Sequence, residues 1–186
     1  MADNKILYGL KNCYYAKKTV TSSGITYGTP VALPGAVSID LSASGDSSTF
    51  YADDIAYAVF NANNGYEGSL ELANIPESFY TDILGFDTDD DGNLVELANV
   101  LGAECALLFE FQGDVKARRH IFWNVKFGRP SITGNTKEES IEPQTSTLEF
   151  NAVPLANGIT KSTTAEGTDA DAYAAWYTSA PVVPTL

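Results

Sequence analysis

The sequence predicts a mainly β protein, a single antiparallel β-sandwich or barrel with one short flanking α-helix, a long loop and extended terminal arms. Apolar and polar residues alternate with period two along much of the chain, the pattern of strands with one buried face. Turn-forming Gly, Asn and Asp residues separate these runs. Only one segment carries both a helical start and a helical stop. The 186 residues suffice for one domain with a core, burying about 70% of the surface its unfolded chain exposes. No internal repeat or second domain is visible, so residues 1–186 are read as one unit.

In chain order, residues 1–10 form an N-terminal arm without an apolar signal-peptide core. Tyr14 to Val20 is a strand rich in aromatic and β-branched residues. Val37 to Ser42 alternates cleanly. Residues 42–54 (SASGDSSTFYADD) are polar, lack alternation and are expected to be the long loop. Ile55 to Phe60 is another strand, and Asn63-Asn64-Gly65 a turn. Leu70 and Leu72 flank Glu71. Ile75 to Gly85 reads as the helix, with an early Pro, a neighbouring acid and a terminal Gly; Phe79, Ile83 and Leu84 lie on one face, which packs on a sheet. Leu107, Phe109 and Phe111 share a strand face, Gln112-Gly113-Asp114 is a hairpin turn, and Ile121, Trp123, Val125 and Phe127 share the next face. Leu148, Phe150 and Ala152 form the last clear strand. Residues 160–186 read as a C-terminal arm leading through Tyr173 to Tyr177.

A formal charge of −13 repels nucleic-acid phosphate and anionic lipid, which argues against sequence-specific DNA binding. Solubility explains the charge equally well. No run approaches the roughly 20 apolar residues of a membrane helix. Cys13 and Cys105 lack metal-site or redox spacing and are expected to be buried free thiols.

Catalytic chemistry has little support. His120 is the one histidine, and a histidine base needs an orienting group and a nucleophile, neither of which the sequence names. No nucleophile elbow, phosphate loop or metalloprotease motif occurs. No catalytic residue, cofactor or metal ligand is therefore assigned. Asp87-Thr88-Asp89-Asp90-Asp91-Gly92-Asn93-Leu94 matches the first eight positions of an EF-hand loop, but position twelve is Ala98 where a bidentate Glu is needed. The two readings of Asp87–Asn93 are a calcium loop in a β-sandwich binding module and an acidic hairpin turn. The aromatic set Tyr14, Tyr15, Tyr51, Tyr57, Phe60, Tyr66, Trp123, Trp176 and Tyr177 fits either core and interface or a sugar-stacking platform. Lys116, Arg118 and Arg119 form a local basic spot. It serves either cross-strand pairing with Glu110 or Asp114 or an inter-subunit patch facing an acidic neighbour.

Several strings resemble the major tail protein family of long, non-contractile tailed phages and prophages of Gram-positive bacteria. They are residues 11–17 (KNCYYAK), 27–38 (YGTPVALPGAVS), 51–60 (YADDIAYAVF), 63–76 (NNGYEGSLELANIP), 106–120 (ALLFEFQGDVKARRH) and 129–148 (RPSITGNTKEESIEPQTSTL). Their order and spacing carry the resemblance, which runs from Lys11 to about Val153. It implies a β-sandwich or barrel with one flanking helix, assembling into hexameric rings that stack into a hollow tube. The tube would sit in the virion after synthesis in the host cytoplasm. Its partners would be other copies of the chain and tail proteins such as the tape measure and tail terminator. DNA would pass through an acidic lumen without specific binding, and no membrane is involved. No catalytic residue is implied. On this resemblance the 42–54 segment becomes an inter-ring stacking loop, with Ser47, Phe50, Tyr51, Asp53 and Asp54 as contact residues; a mobile surface loop is the other reading.

Overall fold

The fold is given by a computed structural model that describes residues 5–22, 24–113, 115–132, 134, 136 and 143–185. The chain opens with β1 (Leu7–Thr21), β2 (Gly24–Tyr27), β3 (Val31–Ala32) and β4 (Ala36–Ser44). It continues through β5 (Ser47–Ala52), β6 (Ile55–Asn61) and β7 (Gly65–Leu72). A short helix, α1 (Glu77–Phe79), runs into a wide π-type turn at Tyr80–Leu84 and stops at left-handed Gly85. β8 (Asp87–Thr88) and β9 (Leu94–Val95) form a small hairpin. β10 (Glu104–Gly113), β11 (Arg118–Phe127), β12 (Ser146–Ala152), β13 (Lys161–Thr163) and α2 (Ala170–Ala175) complete the fold.

The expected mainly β class holds. One large antiparallel sheet runs in the order β2-β1-β10-β11-β12-β7-β4, with β3 beside β1 and β13 beside β11. Alternation along β10 feeds both faces. Cys105, Leu107 and Phe109 enter one apolar cluster with Tyr15, Leu70, Leu72, Leu148 and Phe150. Ala106 and Leu108 enter a second with Ala16, Tyr27, Ile121 and Trp123. The helical segment covers the first cluster: Phe79 and Ile83 are fully buried, and the Phe79 ring stands edge-on to Tyr15 and Phe127 at 5.1 Å each. The expected contact of this helix with the sheet is thus observed.

β11 departs from the sequence reading. Cys105 faces Val125 while Leu107 faces Phe122, so Trp123 and Asn124 together oppose Ala106. This bulge inserts one residue and reverses the alternation. Ile121 and Trp123 therefore lie in the second cluster, and Val125 and Phe127 in the first. The four residues do not share a face. β1 bends similarly at Gly9 and Asn12, both at positive φ.

Three further expectations change. Residues 42–54 are not a loop: 42–44 finish β4, and Ser47–Ala52 pair with β6. The tight turn between them places Asp53 and Asp54 at φ of 51° and 61°, the conformation that a two-residue hairpin of matching twist requires. β4–β7 and β5–β6 form one bent ribbon, held through the bend by Ala62 N–H to Asp46 O and Asn64 N–H to Ser44 O, both 2.8 Å. Gly45 permits the bend, since a Cβ there would lie 2.0 Å from the Ala62 carbonyl oxygen.

The termini are also not free arms. Leu7–Leu10 belong to β1, with residues 1–4 outside those described. Residues 160–185 fold back on their own sheet through β13 and α2, and Trp176, Tyr177 and Val183 pack on the second cluster. Phe111 pairs with Arg118 across the expected 112–114 turn, although Asp114 itself lies outside the described residues. Among the described residues no helix is long and apolar enough to cross a membrane.

Candidate assembly surfaces

Among the described residues, the β5–β6 hairpin stands apart from both apolar clusters and its two strands pair only with each other. Its strands alternate, but no other described element covers either face. Phe50, Tyr51, Ile55, Tyr57, Val59 and Phe60 are each more than half exposed. Phe50 and Tyr57 meet edge-on at 6.5 Å and otherwise face solvent. The sequence-predicted contact residues Ser47, Phe50, Tyr51, Asp53 and Asp54 all sit on this hairpin and all are exposed. Ile55, Tyr57, Val59 and Phe60 belong to the same surface. The sequence reading took Ile55 to Phe60 as a strand, rich in aromatic and β-branched residues, and that composition looks the same whether or not a second layer covers it.

The basic spot divides. Arg119 is turned inward. Its Nε donates to Glu110 Oε2 at 3.0 Å, and both side chains are largely buried. Its guanidinium stacks on the rings of Tyr173 (3.7 Å) and Tyr177 (4.8 Å), and Nη1 donates to the Tyr173 carbonyl. Glu110 also accepts from Asn12 Nδ2 at 2.7 Å and Tyr177 OH at 3.3 Å. Arg119 is therefore a latch between the sheet and the C-terminal segment, and cross-strand pairing with Glu110 explains it. Its burial removes it from an inter-subunit patch. Lys116 also lies over the Tyr173 ring, at 3.9 Å. Arg118 is half-buried on β11.

His120 stacks on Phe109 (5.2 Å), meets Phe111 edge-on, and holds Thr163 Oγ1 through Nδ1 at 3.1 Å. Burial, with Lys161 and Arg118 nearby, pushes its pKa down to about 4. The unfolded chain takes up this proton first, near pH 6.5. The resulting stability is complete above pH 6.5 and is lost as pH falls from 6.5 to about 4. Urea unfolding of wild type against His120→Gln should diverge across that window. The wild type should lose about 2 kcal/mol more, a value reduced for the partial exposure of the ring. Parallel pH profiles for the two proteins would contradict this.

The acidic turn forms a hairpin and not an EF-hand frame. Asp89 accepts from the backbone N–H of Asp91 (3.0 Å) and Asn93 (2.7 Å) and from Asn93 Nδ2 (3.0 Å), and Asn93 holds its carboxyl below the usual range. Gly92 takes the left-handed position. Among the described residues no group of three or more His, Cys, Asp or Glu side chains is arranged to hold a metal ion. Both cysteines are free and buried, and burial pushes the Cys13 thiol up to about 12. Most of the aromatic set is internal: Tyr14 stacks on Tyr177, Tyr66 meets Phe122, and Trp123 meets Tyr27. The largely exposed members, Tyr51, Tyr57 and Phe60, all lie on the β5–β6 hairpin.

No protein-family model matches the chain, and no curated protein matches it.

Proposed function

We propose that this chain is the structural subunit of a phage tail tube, self-assembling into stacked hexameric rings around a conduit for DNA. One observation carries the reading: the β5–β6 hairpin presents Phe50, Tyr51, Ile55, Tyr57, Val59 and Phe60 to solvent, with no layer of the described residues over either face. Large apolar side chains gathered exposed on one element mark a candidate partner site. A projecting hairpin on a rigid sheet suits contacts with other copies. It reaches beyond the body, and its contact with a different surface of the next copy propagates as a head-to-tail interface, closing into rings or extending as a filament. The charge of −13 supports a wall that DNA slides past rather than one that binds it. Head-to-tail burial of the hairpin aromatics would supply the apolar centre that obligate interfaces have.

Negative-stain electron microscopy of the concentrated protein tests this reading. Hollow tubes or six-fold rings are expected. Persistent monomers that bind a glycan would replace it with the binding-module reading.

A further inference from the structure

The tube reading leaves open what receives the hairpin, and the inference here rests on that reading. A groove of about 330 Å³ lies between β1 at Leu10–Tyr14 and the segment from Ala32 to Ala36. It sits at the far end of the ribbon. β4 begins at Ala36 in the groove and ends at Ser44 beside the hairpin, a run of about 26 Å at the usual strand rise. The two surfaces thus occupy opposite ends of one element, the arrangement a propagating contact requires.

Their chemistry is complementary. The hairpin tip presents Asp53 and Asp54, flanked by Tyr51 and Ile55, all exposed. The groove presents exposed Lys11 and Pro34 beside half-buried Leu10 and Ala36. Lys11 makes no ion pair with another described residue. Its cross-strand neighbour Glu110 is already committed to Asn12, Arg119 and Tyr177. The groove floor is irregular: Asn12 sits at φ 52° in a bulge of β1. A bulge ends regular pairing, so the floor does not template an added strand and suits a compact turn.

We propose that the Asp53-Asp54 tip of one copy seats in the Leu10–Tyr14 and Ala32–Ala36 groove of the next, with its carboxylates against Lys11. Two measurements test it. First, Lys11→Glu and the pair Asp53→Lys with Asp54→Lys should each raise the critical concentration for tubes about tenfold or more, and combining all three should restore assembly. Second, Asp54→Cys with Pro34→Cys should give a ladder of covalent oligomers on mild oxidation, since Cys13 and Cys105 are buried. Tubes indifferent to Lys11→Glu, or no ladder from assembled protein, would overturn the docking site and leave the tube reading standing. A wild-type chain that forms no tubes at any concentration would overturn both. Unchanged thermal melting of the Lys11→Glu monomer separates lost docking from lost folding.

Discussion

Replacing Ser47–Asn61 by an Asn-Gly turn should leave a folded monomer that forms no tubes. The graft is geometrically available because Ala62 N–H already donates to the Asp46 carbonyl at 2.8 Å, the spacing that a two-residue hairpin closes. The body should be nearly indifferent, since no residue of the segment belongs to either apolar cluster. Its melting temperature should stay within a few degrees of wild type. The assembly effect should be total. Six large side chains are exposed on the hairpin, Phe50, Tyr51, Ile55, Tyr57, Val59 and Phe60, and burying each is worth about 1.5–3 kcal/mol. Their loss removes on the order of 10 kcal/mol of gross association energy, comparable to what association itself costs. Sedimentation and electron microscopy read the result; tubes from the shortened chain would refute the hairpin as the assembly element. A deletion of residues 42–54 is a poorer experiment, because it also removes Ser42–Ser44 from the edge strand β4.

Arg119→Ala should produce the largest loss of monomer stability, about 3–5 kcal/mol in urea unfolding, because it strands a buried carboxylate. Glu110 is only 5% exposed, and its remaining partners, Asn12 and Tyr177, are neutral. The same change removes the guanidinium from the rings of Tyr173 and Tyr177, so the C-terminal segment should become sensitive to proteases under conditions where wild type resists. Replacing Arg119 and Glu110 together by Leu should recover much of the loss, since an apolar pair leaves no orphan charge. An Arg119→Ala monomer of wild-type stability that fails to assemble would return this residue to the inter-subunit patch.

Much of the fold was legible in the sequence because the strands that build the body alternate and the turns between them use Gly, Asn and Asp. What alternation cannot register is an inserted residue. The bulge at Trp123-Asn124 reverses the faces of Val125 and Phe127, and nothing local announces it. The 42–54 stretch read as a loop because Ser and Asp dominate it; its strand character comes from pairing with Ile55–Asn61 and from left-handed Asp53 and Asp54, where Asn-Gly is the more familiar signal. The stretch was nonetheless assigned to assembly, and Phe50 and Tyr51 do lie exposed there. The basic spot was legible only in part. Glu110 was a visible cross-strand candidate, but Tyr173 and Tyr177 come from far along the chain, and no periodicity links them to Arg119.

The ribbon also sets an order on how the chain acquires structure. Both of its strands are present once residue 72 has been made, and a turn of two residues, Asp53 and Asp54, joins them. The pairing of β1 with β10 in the body joins Leu7 to Gly113 and closes a loop whose entropic cost grows with its length. During synthesis the aromatic hairpin is therefore complete while the sheet that will carry it still lacks its middle. With its two outer edges unpaired, it is the part of the nascent chain most open to premature pairing with a neighbour. Asp53 and Asp54 at its tip place like charge where two nascent hairpins would first touch, a guard against clumping of nascent chains on the ribosome.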